Sequence, residues 1–212
     1  MIKAIIFDMD GVLIEAKEWH YDALNKALQL FGFNISHEDH LTTFDGLPTS
    51  RKLAMLSDEY NLPKELHSFI EEMKQSYTME IVHTKCKPRF IHEYALSKLK
   101  ATGYKLALAS NSIKRTVEMM MFYSCLDKYL EFTLSNEDVN QGKPHPDIYL
   151  KAIALLGVEP HECLIIEDNE NGINAAKSAK AHVYEVKEVQ EVTLQNIQAY
   201  INYINKNDEI VL

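Results

Sequence analysis

A chain of 212 residues, 46% hydrophobic and 25% charged, has the composition of a globular protein with a sizeable core and excludes an intrinsically disordered one. Its formal net charge of −9 disfavours unspecific nucleic-acid binding and attraction to an anionic membrane surface, so neither partner is expected. The three cysteines, Cys86, Cys125 and Cys163, are scattered and form no CxxC pair, which suits reduced thiols in a cytoplasmic protein better than a disulfide framework or a zinc site.

The first apolar run, residues 3–7, reads as a buried strand and ends at Asp8. It is too short for the apolar region of a signal peptide, and no later segment approaches the roughly 18 consecutive apolar residues of a membrane helix. The stretch from 15 to 83 then holds three helical blocks, around 19–31, 50–60 and 63–79, with no strand between them. Gly46-Leu47-Pro48-Thr49 punctuates that stretch, with Thr49 or Ser50 available to cap the helix that follows. Beyond it, helical patterns at 88–102, 113–123, 146–157, 172–179 and 192–204 alternate with strand-like runs at 105–109, 132–134, 163–166 and 183–186. Residues 205–208 read as a polar turn before a short apolar segment, 209–212.

Strands alternating with helices imply an α/β fold, a parallel sheet with helices on both faces and ligands bound beyond the carboxyl ends of the strands. The expected core domain is 1–14 with 84–212, and residues 15–83 form an inserted all-helical cap. Such an insert, placed directly after the first strand, belongs over the catalytic edge as a water-excluding lid. An acidic surface and a self-contained core lead us to expect a monomer.

Four clusters fall at or near the ends of successive expected strands. In Asp8-Met9-Asp10-Gly11, two carboxylates crowd the mouth of a buried strand. Asp8 is a candidate nucleophile toward phosphorus, and Asp10 a candidate proton-transfer group. Ser110-Asn111-Ser112 places a hydroxyl and free N–H groups at a helix start, an anion cradle or, read alone, a plain N-cap. Gly142-Lys143-Pro144-His145-Pro146-Asp147 holds Lys143 in a loop stiffened by prolines, where its ammonium can neutralise a transferring phosphoryl group. Glu167 and Asp168 close a very apolar run, where adjacent acids need a cation, and oxygen ligands suit Mg²⁺. Taken together, acid pair, hydroxyl, lysine and acid pair supply each part that phosphoryl transfer requires.

In this order the motifs resemble those of the haloacid dehalogenase (HAD-like) superfamily, more narrowly its β-phosphoglucomutase and phosphatase branch with a helical cap. The resemblance implies a HAD-like Rossmannoid core, a small phosphorylated substrate and Mg²⁺ as cofactor. It implies that Asp8 is both nucleophile and metal ligand, and that Asp10 is the acid/base that also offers its main-chain carbonyl to the metal. Ser110 and Asn111 would bind the transferring phosphoryl group and Lys143 would balance its charge. Asp168 would ligate the metal, with Glu167 beside the ion or just behind it. Acids at both 8 and 10 match the phosphoryl-transfer members and not the dehalogenases, which lack the second.

Mutases of this branch carry a lysine before the cap glycine and an arginine three residues after it, where this chain has Asp45 and Thr49, with Arg51 and Lys52 nearby. Asp45 would repel a distal phosphate, so a phosphatase is the preferred reading and a phosphosugar mutase the alternative. His20 lies where the mutases, by the resemblance, have a histidine that links cap closure to the acid/base, which speaks for that alternative, although a lone histidine beside Trp19 on an amphipathic helix is more often a packing residue. Trp19 is expected in the cap core, and Met119-Met120-Met121 as filler behind the sheet. Lys74 and Tyr77 face either the substrate or solvent.

Overall fold

The computed structural model describes residues 1–44 and 46–208. They fall into two units, one of Met1–Glu15 with Lys87–Leu212 and one of Ala16–Cys86. Asp45 and the expected apolar segment 209–212 lie outside the described residues.

The elements in chain order are β1 (Ala4–Phe7), α1 (Lys17–Gln29), α2 (His37–Thr42), α3 (Thr49–Tyr60), α4 (His67–Lys85), α5 (Phe90–Ala101) and β2 (Lys105–Ala109). There follow α6 (Lys114–Tyr123), β3 (Phe132–Leu134), α7 (Asp147–Leu156), β4 (Cys163–Glu167), α8 (Glu170–Ser178), β5 (His182–Glu185) and α9 (Leu194–Asp208).

In the first unit the five strands form one sheet in the order β3-β2-β1-β4-β5, and every pairing is parallel. β1 is central, with Phe7 opposite Leu108 on one side and Ile166 on the other. All four of its residues are buried, which is why the strand reads as an unbroken apolar run rather than an alternating one. Ala4, Ile6, Ala107, Ala109 and Ile165 pack on one face against Ile148, Tyr149 and Ala152 of α7 and Ala175 and Ala176 of α8. Small residues on sheet and helix let the two layers approach closely. Met120 and Met121 on α6 are buried as expected of core filler.

The second unit is all helix among its described residues, and α1 packs against α4. Leu24, Leu28, Leu53, Leu56 and Ile70 form its apolar core. Truncating one of these to alanine costs about 2–5 kcal/mol. Trp19, expected in that core, is only half-buried.

Four local expectations are corrected. α2 had no counterpart in the pattern analysis; Ser36 starts it by accepting the Asp39 N–H at 3.0 Å. α3 begins at Thr49 itself, with Pro48 at the cap position and no side-chain cap. α4 follows a short turn of 3₁₀ helix at Lys64–Leu66 and runs to Lys85, beyond the expected end at 79. Residues 205–208 are not a turn: α9 continues to Asp208, because Ile197, Ile201 and Ile204 bury one stripe and Asn205 Oδ1 accepts the Ile2 N–H at 3.1 Å.

Candidate active site

Parallel strands bring their carboxyl ends to one edge, and the sequence places an acid or hydroxyl at three of them. Asp8 follows β1, Ser110 follows β2, and Glu167 ends β4 with Asp168 next in line. Lys143 reaches the same edge from the loop between β3 and α7.

Asp8, Lys143 and Glu167 are all buried. Lys143 Nζ donates to Asp8 Oδ1 at 2.5 Å, to Glu167 Oε1 at 2.6 Å and to the Ala109 carbonyl at 2.9 Å, which uses its three N–H bonds. The Tyr149 ring centroid lies 4.8 Å from the same nitrogen. Glu167 is itself held at four points. Oε1 accepts from Lys143 and from the Tyr149 hydroxyl at 2.5 Å, and Oε2 accepts from the Asp168 and Asn169 N–H groups at 3.1 and 3.3 Å.

Burial pushes the Asp8 carboxyl well above the ordinary carboxylate range; Lys143 pulls it back, while Glu167, Asp168 and Asp10 add to the rise. Burial works against the Lys143 ammonium, but Asp8 and Glu167 outweigh it and leave the group held in its charged form. The Tyr149 phenol is driven up by burial first and by Glu167 next, so it keeps its proton and acts as a donor.

Carboxylate oxygens of Asp8, Glu167 and Asp168 lie within 4.8 Å of one another. An all-oxygen set of this kind fits a hard divalent cation. The donor count separates its members, because both Glu167 oxygens already accept two hydrogen bonds each.

Asp10 is positioned differently. Its Oδ2 accepts from Ser112 Oγ at 3.0 Å, and the Ser112 N–H donates to Ser110 Oγ at 3.0 Å, so the turn after β2 ties the second acid to the same edge. The Asn111 carboxamide brackets the main chain of Lys143, accepting its N–H at 2.9 Å and donating to its carbonyl at 3.1 Å. A Cβ on Gly142 would stand 2.7 Å from Asn111 Oδ1, so glycine there leaves room for the bracket.

The structure thus gathers Asp8, Lys143, Glu167 and Asp168, links Asp10 to Ser112, and ties Asn111 to Lys143. His20 and Arg51 belong to the second unit. His20 Nδ1 accepts from the buried Lys74 Nζ at 3.3 Å, and Arg51 is exposed on α3. Tyr77, on α4 with Lys74, has Lys26 Nζ 3.9 Å above its ring. Pattern analysis missed Tyr149, which reads as one more apolar position of α7. The available signal was that a buried tyrosine needs a partner for its hydroxyl.

Residues 5–186, from β1 through β5, match the model of the haloacid dehalogenase-like hydrolases. The chain belongs to that family. This HAD-like hydrolase is 29% identical over 179 residues to a phosphorylated carbohydrates phosphatase of Thermotoga maritima, covering 83% of this chain and 81% of the relative. It is 29% identical over 178 residues to a phosphoglycolate phosphatase of Aquifex aeolicus, covering 83% and 80%. Among solved structures it resembles a β-phosphoglucomutase from Clostridium difficile, with TM-score 0.82, 25% identity and coverage of 96% and 99% of the two chains. CbbY from Rhodobacter sphaeroides, in complex with phosphate, has TM-score 0.77, 25% identity and coverage of 86% and 85%. Among the described residues no helix is long and apolar enough to cross a membrane.

Proposed function

We propose that this HAD-like hydrolase is a Mg²⁺-dependent phosphatase that hydrolyses a small phosphorylated metabolite, a sugar phosphate or a nucleotide, through an aspartyl-phosphate. The observation that carries the reading is a buried Asp8 oxygen 2.5 Å from the Lys143 ammonium, in a cluster of three carboxylates at the carboxyl edge of the sheet. The curated relatives named as phosphatases support hydrolysis.

In this reading an Asp8 oxygen attacks phosphorus, the P–O bond to the leaving group breaks, and Asp10 gives the departing oxygen its proton. Asp10 then takes a proton from water as the water oxygen attacks phosphorus. The aspartyl P–O bond breaks, releasing inorganic phosphate and restoring Asp8. Ser110 and the main chain of Asn111 hold the phosphoryl oxygens, the Asn111 amide being committed to Lys143. Lys143 offsets their charge. Asp8, Asp168 and the Asp10 carbonyl would hold Mg²⁺, which supplies further neutralisation of phosphate charge when bound. Three cysteines that form no disulfide among the described residues support a cytoplasmic enzyme.

The test is release of inorganic phosphate from a panel of phosphate esters with and without Mg²⁺. The wild type should release it only with the ion, and Asp8→Asn should release none; unchanged turnover in that variant would sink the mechanism.

The second reading is a phosphosugar mutase using the same aspartyl-phosphate. Its supports are the likeness to β-phosphoglucomutase and the His20–Lys74 contact. Thr49, where mutases of this branch carry arginine, and Asp45 argue against it. Conversion of β-glucose 1-phosphate to glucose 6-phosphate with a bisphosphate primer separates the two. Hydrolysis without isomerisation removes the mutase.

A further inference from the structure

The phosphoryl-transfer reading gives roles to Asp8, Asp10, Ser110, Asn111, Lys143 and Asp168 but leaves two buried groups at this edge, Glu167 and Tyr149, without a task. Tyr149 is fully buried on α7, and its ring packs in the core while its hydroxyl leaves that core to meet Glu167 Oε1. Oε1 therefore accepts two hydrogen bonds on the side that also receives the Lys143 ammonium, and Oε2 accepts two from the main chain. A carboxylate oxygen has two lone pairs in its plane, so this carboxylate has its accepting capacity filled. Yet one of its oxygens lies within 4.8 Å of oxygens from Asp8 and Asp168, close enough to serve the same cation.

We infer that Tyr149 is a positioning residue whose hydroxyl holds Glu167 on Lys143 and keeps that carboxylate from becoming a ligand of the cation. The inference rests on the reading of this edge as a cation and phosphate site. A third carboxylate around a divalent ion would bind it more tightly. It would also take from Lys143 one of the two acids between which its ammonium is shared, displacing it from the position in which it meets Asp8. With the hydroxyl in place, the ion is bound by fewer charges and Lys143 keeps its alignment.

Tyr149→Phe removes one oxygen and preserves the ring that packs in the core and faces Lys143. Isothermal titration with Mg²⁺ alone should show the variant binding the ion at least about threefold more tightly than wild type. Steady-state kinetics should show kcat lowered about tenfold with KM for the ester little changed. In a Glu167→Gln background, Tyr149→Phe should no longer tighten the ion, since the carboxylate it releases is gone. Unchanged or weaker Mg²⁺ binding by Tyr149→Phe overturns the inference, whatever happens to activity. Calorimetry follows the ion without substrate. A wild type that binds Mg²⁺ but hydrolyses no ester would therefore remove the phosphatase and leave this inference open to confirmation or refutation by the same titration. A wild type that takes up no ion overturns both.

Discussion

Gly172 of α8 lies against the Glu167 carboxylate so closely that any Cβ at that position would collide with Oε1. The carboxylate has nowhere to retreat, because four hydrogen bonds from Lys143, Tyr149 and two main-chain N–H groups fix it. Glycine here serves close approach.

Gly172→Ala should therefore dislodge Glu167 and, through it, Lys143. The expected result is a loss of turnover of about 10- to 100-fold, the usual consequence of disturbing the groups that orient site residues. A destabilisation of about 1–3 kcal/mol from overpacking should accompany it. Phosphate release and thermal melting measure the two effects; a variant with wild-type turnover would show that Glu167 can shift without harm.

The Asn111 bracket around Lys143 gives a second prediction. Asn111→Ala deletes both hydrogen bonds to the Lys143 main chain and should lower stability by about 1–3 kcal/mol. It should reduce kcat more than it raises KM if the loosened Lys143 is, as proposed, the group that neutralises charge during transfer. Comparing kcat and KM with Asn111→Asp, which retains only an acceptor, tests which half of the bracket matters.

Removal and restoration of the ion supply the third. A ligand that binds only the folded state stabilises it by about 2.7 kcal/mol at 100 times its dissociation constant. Adding Mg²⁺ to chelator-treated protein should raise the melting temperature in a concentration-dependent way. Asp168→Asn should abolish that rise. A shift of equal size in the variant would exclude Asp168 from the site.

His92 sets the fourth. It is buried on α5, its Nε2 donates to the Val189 carbonyl at 2.9 Å, and burial holds its pKa below the ordinary histidine value. A lowered folded-state pKa means that the unfolded chain takes up the proton first. The stability that neutral His92 confers is thus full above about pH 6.5, the unfolded value, and is lost as pH falls through the folded value. Urea unfolding of the wild type should weaken below about pH 6.5, and His92→Gln should flatten that dependence. An identical pH profile in the variant would assign acid sensitivity elsewhere.

Much of the sheet could be read from residues alone because β1, β2 and β4 are buried on both faces and show continuous apolar runs ending at a polar residue. The acids and the lysine stood out for the same reason, as charges where an apolar run stops. What stayed hidden was non-local. Tyr149 meets Glu167 across 18 residues and Ser112 meets Asp10 across 102, and no local pattern records such pairings. α2 escaped because its six residues, His-Glu-Asp-His-Leu-Thr, carry no apolar stripe. The end of α9 escaped because Asn and Asp disfavour helix interiors, and only packing of its isoleucines overrides that preference.

The central place of β1 has a consequence for synthesis. This strand is made well before the strands that flank it, which begin at Lys105 and Cys163, so the segment bearing Asp8 waits for about 100 residues before its first edge is covered and longer still for its second. Meanwhile residues 16–86, with an apolar interior of their own, are complete and free to collapse. The nascent chain thus carries an orphaned, sticky ribbon ahead of a finished helical body, which makes that strand a natural place for a chaperone to grip.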